Sequence, residues 1–195
     1  MTGSHYLEGQ ILIAMPGMGD PRFDRSLIFM CAHSENGAMG IIINKVAPMM
    51  FFSDLVDQLK IVPNEEVRDV AETVLNMPVL FGGPVEQFRG FVLHSTDYFS
   101  NSTSLPINDG VALTATVEIL QAIAQGSGPQ KVMLALGYSG WIAGQLEDEI
   151  QRNSWLHCEA DDDLIFGADN VGKYTRALKK IGVDPLMLSP DSGHA

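Results

Sequence analysis

Ser139 stands between glycines in the run Ala135-Leu-Gly-Tyr-Ser-Gly-Trp141, a setting that suggests a nucleophile held on a sharp turn. A nucleophile elbow needs glycines two residues either side of the serine. Gly137 qualifies, but position 141 is Trp. Asp169 and His194 follow in the chain, yet nothing in their spacing assigns them as acid and base. The run is read instead as a tight turn that lets a helix approach a sheet closely. Cys31 and His33 lie two apart in an apolar run, and strand side chains alternate. The pair is therefore expected on one face, the first two groups of a thiolate–imidazole or metal site. Glu35 is the only further ligand nearby, with His94 on another strand, so Cys31 is expected to serve as a small buried hydrophobe. Glu159-Ala-Asp-Asp-Asp163 lacks the spaced ligands and distal Glu of a calcium loop; it suits a helix N-terminus, where carboxylates complement the dipole. Gly17-Met-Gly19 has no third glycine at the right offset and no Lys-Ser/Thr, so nucleotide binding is not read. Neither a metal nor a cofactor is expected.

Binding chemistry has a better foothold. Residues 141–152 are expected to form a helix after the glycine turn. At ~100° per residue, Ile142, Ala143, Leu146 and Ile150 make one apolar stripe. Trp141, Gln145, Asp148 and Arg152 fall opposite it, with Glu149 on the flank. An indole beside an amide and carboxylates, away from the core stripe, has the composition of a groove or an interface. The candidate binding groove is thus Trp141, Gln145 and Glu149. Tyr138, Gly82, Gly83 and Asn44 join it from the neighbouring glycine-punctuated runs. The last helix carries Lys173, Arg176, Lys179 and Lys180 opposite Tyr174, Leu178 and Ile181. No aromatic interleaving and no helix-turn-helix signature accompany these bases, so they are read as its solvated face.

These groups need a scaffold. Apolar runs at 10–15, 27–32 and 39–43 read as strands, covered on both faces because the apolarity is nearly continuous. Asn36-Gly37 signals a hairpin between the second and third. Ser53 is expected to cap a short helix burying Leu55, Val56 and Leu59. A second helix is expected over 65–75. Strands at 79–81 and 91–94 flank the Gly82-Gly83-Pro84 turn, and 100–109 reads as an exposed loop. Further expectations are a helix at 115–125 burying Val117, Leu120, Ile123 and Ala124, strands at 131–136 and 155–158, and a helix at 174–181. Strands first and mixed elements later favour an α+β or mixed-sheet fold over a doubly wound one.

The 195 residues suit one domain with a sizeable core, with residues 1–8 and 186–195 expected to be less ordered. The net charge of −12, from 12 Lys+Arg against 24 Asp+Glu, sets an unfavourable field for nucleic acid. Two cysteines are too few for a disulfide framework. The N-terminus lacks the basic start and apolar stretch of a signal peptide, and no apolar run approaches the ~20 residues of a membrane span. A cytoplasmic protein is expected.

The glycine-punctuated runs also carry a likeness. Leu12-Ile-Ala-Met-Pro16, Asp20-Pro-Arg-Phe-Asp-Arg-Ser26, Cys31-Ala-His33 and Asn36-Gly-Ala-Met-Gly40 through Asn44-Lys45 open the series. Gly82-Gly-Pro84, Arg89-Gly-Phe91, Leu136-Gly-Tyr-Ser-Gly-Trp141, Gly144-Gln-Leu-Glu147, Asn153-Ser-Trp-Leu156 and Gly193-His-Ala195 continue it. Nearly end to end, the chain resembles the AlgH/YqgE family of bacterial proteins. The resemblance implies a single domain over 1–195, of α+β class, with a mixed, split, partly barrel-like sheet flanked by helices. It implies little chemistry, since the family has no established enzymatic activity and its name comes from a proposed role in regulating alginate production. Ser139 sits where relatives often have a small residue such as Ala. The expected function is that of a non-enzymatic regulatory or protein-interaction domain. Alternatives are a small-molecule-binding protein or hydrolase using the glycine turns at 82–84 and 137–140, and a DNA-binding transcriptional regulator. The partner, protein or small molecule, and the oligomeric state are left open.

Overall fold

The computed structural model describes residues 6–63 and 65–188. The apolar runs near the N-terminus form β1 (Gln10–Ala14), β2 (Leu27–Ser34) and β3 (Gly37–Ile42). The β2–β3 hairpin closes with Ser34 opposite Gly37, as the Asn-Gly signal suggests. β4 (Val46–Phe51), β5 (Pro78–Phe81), β6 (Val85–Ser95), β7 (Ser104–Pro106), β8 (Val111–Thr114), β9 (Val132–Ile142) and β10 (Trp155–Glu159) complete the strands. The helices are α1 (Phe52–Leu59), α2 (Glu72–Leu75), α3 (Val117–Ala124), α4 (Gln145–Gln151), α5 (Asp162–Phe166) and α6 (Asn170–Lys180). One sheet runs β10-β1-β2-β3-β9-β6-β8-β7, with β5 on β9 and β4 on β5. All pairs are antiparallel except β5 with β9, so the α+β class and the mixed, split sheet of the sequence reading both hold.

β9 organises this sheet. Its residues 134–136 pair with β5 and also with β6, so those two strands must lie on opposite edges. Its residues 139–142 pair with β3, on the β5 edge, where Ile42 N donates to Gly82 O at 2.8 Å. The chain between β5 and β6 must therefore cross the face of β9. It does so at Gly82-Gly83-Pro84, in direct backbone contact. A Cβ on Gly83 would lie 2.1 Å from Tyr138 C, and one on Gly137 would lie 2.4 Å from Gly83 O. Side chains are excluded there on steric grounds, which is why glycines meet glycine. The Gly82-Gly83-Pro84 run joins two strands that do not pair with each other.

Both faces of the sheet are covered. Ile11, Ile13, Phe29 and Ile41 pack with Leu164, Tyr174 and Leu178 of α5 and α6. The alternating Leu12, Ile28, Met30 and Ile42 pack with Trp141, Leu146 and Trp155. Under α1 and α3, Phe52, Val56, Ile119 and Ile123 meet Val79, Val92 and Leu134.

Several sequence expectations are corrected. Residues 137–142 extend β9 instead of starting a helix; α4 begins at Gln145, after Gly144 at φ +77°. Ser53 lies inside α1, whose first turn is tied by Asp54 Oδ2 accepting from Phe51 N at 2.7 Å. Leu59 is 49% exposed, and Val117 is exposed as well. Residues 65–75 split into a 3-10 turn and the single turn of α2, because Val70 between them is extended. The 100–109 segment contains β7, with Ser104 buried. The loose termini expected at 1–8 and 186–195 fall largely outside the described residues; within them Leu7 is buried and Pro185–Leu188 forms a 3-10 turn.

The largest correction concerns α6. Lys173 is 1% exposed and not part of a solvated face; its Nζ donates to Ile43 O at 2.9 Å and Ile165 O at 3.2 Å. Burial pushes its pKa down to about 8. Arg176 pairs with Asp163 and Asp169, and Lys180 with Asp161. The basic face is thus one buried cation and two paired ones, leaving Lys179.

Gly83→Ala is expected to cost about 3 kcal/mol through backbone overlap. Gly126→Ala, at φ +77° with nothing within 4 Å of its Cβ, should cost only about 1–2 kcal/mol. Thermal melts of the two variants give the comparison; equal losses would mean that the crossing contact is not what requires glycine.

Candidate functional site

β9 carries Trp141 to the far end of the sheet, and β10 delivers Trp155 opposite Ala14 of β1. The two indoles meet edge to face, with centroids 6.0 Å apart at 79°, and Phe23 meets Trp155 in the same way at 5.7 Å. Between them stands Glu149 of α4. Its Oε2 accepts from Trp141 Nε1 at 2.9 Å and from Trp155 Nε1 at 2.8 Å. Its Oε1 accepts from Gln145 Nε2 at 3.0 Å, one turn back on α4. Gln145 in turn uses Oε1 to accept from Ile142 N at 3.1 Å, which ties the helix start to the end of β9. One carboxylate therefore fixes both tryptophans, and hydrogen bonds to an ionised acceptor are the strong kind.

The result is a cleft of about 340 Å³ with aromatic walls and polar groups at its rim. Arg22 closes one side, held by Asp20 through a pair at 2.7 Å that lowers the Asp20 pKa. Arg152 follows α4 on the other side, exposed and without an ion-pair partner among the described residues. Of the residues singled out from sequence, Trp141, Gln145 and Glu149 come together here. Trp141 is 7% exposed, a wall packed into the core and not a surface ring. Tyr138 lies outside the cleft, packed edge to face on Phe91. Gly82 and Gly83 serve the strand crossing, and only Pro84 of that run lines the cleft. Asn44 is turned to the backbone at the start of β2, accepting from Leu27 N and donating to Arg25 O, both at 2.9 Å. Trp155, absent from the sequence-based groove, is its second wall. The signal was present but thin, since the chain has only two tryptophans.

The remaining chemical candidates separate. Ser139 is fully buried in mid-strand, its hydroxyl directed at Gly82 O at 3.5 Å. Cys31 and His33 do not share a surface. A bulge between Met30 and Ala32 inserts Cys31 as an extra residue. Cys31 packs with Phe29 and Ile41 and burial raises its pKa, whereas His33 reaches α4. His33 Nδ1 accepts from Leu7 N at 3.0 Å, so its ring proton is on Nε2, donated to Glu147 at 2.8 Å. His94 is equally engaged, with Ser95 O at 2.9 Å and Thr114 Oγ1 at 2.8 Å, and burial lowers its pKa. The acidic run is spent on structure: Asp161 caps α5 and pairs with Lys180, while Asp162 and Asp163 pair with Lys131 and Arg176. Asp169 caps α6, and His194 lies outside the described residues. Among the described residues no three His, Cys, Asp or Glu side chains are placed to hold a metal, and no helix is long and apolar enough to cross a membrane.

The fold and cleft define a single-domain α+β protein with a preformed aromatic cleft beside a curled sheet. The AlgH-like family model matches residues 11–186, and the chain belongs to that family. It is 60% identical over 190 residues to a UPF0301 protein of Nitrobacter hamburgensis, covering 97% of this chain and 88% of that one. It is 57% identical over 194 residues to a UPF0301 protein of Rhodopseudomonas palustris, covering 100% and 91%. The solution structure of AlgH from Pseudomonas aeruginosa superposes with a TM-score of 0.77 at 34% identity, covering 100% of this chain and 99% of that one. A Corynebacterium diphtheriae protein shares the fold, with a TM-score of 0.67 at 19% identity over 96% and 92% of the two chains.

Glu149→Ala leaves two largely buried indole N–H groups without an acceptor and should cost about 2–6 kcal/mol, from ~1–3 kcal/mol per unpaired group. Glu149→Gln retains an acceptor oxygen and should cost less. Chemical denaturation gives both values; an alanine variant as stable as the glutamine one would show that the shared carboxylate holds nothing in place.

Proposed function

We propose that this chain is a non-catalytic recognition domain that binds a segment of a partner protein in the cleft lined by Trp141, Trp155, Phe23, Arg22 and Arg152. The observation that carries the reading is the Glu149 carboxylate, which holds both indoles in place before anything binds. A preorganised aromatic site loses little conformational entropy on binding. Arg152 supplies an uncommitted cation, suited to a carboxylate or carbonyl of the incoming segment, and the aromatic and apolar lining, with Phe23, Met18 and Val85 beside the indole edges, suits an apolar side chain next to it. A regulatory role follows if that segment belongs to a control protein. Direct DNA binding is disfavoured by the net charge of −12 and by the pairing of Arg176 and Lys180 with acids on α5 and its flanks. The hydrolase alternative meets a Gly82 N–H already donated to Leu136 O at 2.8 Å.

Arg152→Ala removes an exposed group and should leave the melting temperature nearly unchanged, whereas Gln145→Ala, which also removes the bonds to Ile142 N and Glu149, should cost about 1 kcal/mol and keep the fold. Quantitative affinity capture from the cells of origin should then recover at least one partner about tenfold less with Arg152→Ala than with the parent chain. If every captured protein is recovered equally by the parent and both variants, the cleft is not the recognition site.

A further inference from the structure

A second concavity lies far from the tryptophans, where α1 and α3 stand over the sheet. We propose that it binds an uncharged amphiphile, an apolar body of about a dozen non-hydrogen atoms ending in a hydroxyl or carbonyl. The cavity measures about 380 Å³, within the range of small-ligand sites. At the ~30 Å³ that a water takes in the liquid, this is room for about a dozen such atoms. Its floor is Leu134 and Leu136 of β9 with Val92 of β6, and its walls are Leu55 of α1 and Leu120 of α3. None of the lining side chains is ionisable. A carboxylate or ammonium group drawn inside would be desolvated with no counter-charge, which is costly; a neutral head group carries no such penalty.

Two features indicate how the ligand would be held. Thr116, at the start of α3, and Gln58 of α1 are the polar side chains that line the cavity. The Thr116 hydroxyl helps hold the Glu118 carboxyl below its usual range. A neutral ligand oxygen would find its polar contact at Gln58 and at this end of α3, and the rest of the lining is apolar. The other feature is Phe88, which lines the mouth yet is 99% exposed. It lies where β6 breaks its pairing with β9, between Val85 and Gly90, with Glu86 at φ +47°. An apolar ligand in the mouth would cover this ring, along with the exposed faces of Leu59 and Val117.

The test is titration of the whole chain with 1-octanol, octanoate and octyltrimethylammonium, followed by amide NMR shifts. 1-Octanol should saturate, with shifts centred on Gly90, Thr116, Leu120 and Leu134, and bind at least tenfold more tightly than either ion. Leu120→Trp, which fills the cavity, should abolish binding. Phe88→Ala touches no packed residue, so it should keep the fold and weaken binding about fivefold. Equal affinity for the ions, shifts centred on Trp141 and Trp155, no saturation up to the solubility limit, or unchanged affinity in both variants overturns the proposal.

Discussion

The crossing of one strand connection over β9 constrains everything around it. Backbone lies on backbone where Gly82 and Gly83 pass Gly137 and Tyr138, at separations that admit no Cβ. Because the chain crosses there, β5 and β6 occupy opposite edges of the same strand, and the sheet divides around it. β3 continues along the edge that β5 leaves, so β9 stays paired through Ile142. That continuity fixes the position of Trp141. Had the chain turned into a helix at Gly137, the indole would stand elsewhere, and Glu149 would have one tryptophan to bind instead of two.

The polar groups divide into two kinds. On α5 and α6, acids and bases pair at the surface: Asp161 with Lys180, Asp163 and Asp169 with Arg176. Such exposed pairs contribute about half a kcal/mol apiece, and their main effect is to neutralise a basic helix of an acidic chain. Lys173 and Glu149 are different. Each is a charged group that ties separate elements together through hydrogen bonds to neutral partners, two carbonyls for the lysine and two indoles with an amide for the glutamate. Lys173 fastens α6 to the end of β3 and to α5. Glu149 fastens α4 to β9 and β10, and with them shapes the cleft.

Much of this was legible in the sequence, for physical reasons that also mark where legibility stops. The runs around Ile11, Phe29 and Ile41 read as doubly covered strands because short apolar stretches bounded by turn residues have few other uses. The α3 and α6 patterns read as helices by their period. The path of β9 did not, because a glycine that breaks a strand and a glycine that admits a crossing backbone look identical locally; Gly137 and Gly140 were taken for the first kind. Lys173 falls where a helical period predicts solvent, and only the approach of Ile43 and Ile165 carbonyls makes burial tolerable. Cys31 and His33 were assigned one face by strict alternation, which a single bulge undoes. Trp141, Gln145 and Glu149 were grouped from a helix that begins four residues later than expected. They meet because Gln145 and Glu149 do lie one turn apart on α4, while Trp141 arrives from a strand. Trp155 depended on the β1–β10 pairing, a contact between chain ends that no local pattern encodes.

The account rests on one carboxylate serving two indoles, and the chain's two tryptophans make this directly observable. The measurement is the position and solvent exchange of the two indole N–H signals by proton–nitrogen NMR, in the parent chain and in Glu149→Ala. In the parent chain both signals should lie downfield and exchange slowly with solvent, and in the alanine variant both should move upfield and exchange faster together. Indole signals that respond separately, or that keep their positions when Glu149 is replaced, would contradict the shared carboxylate and the preformed cleft built on it.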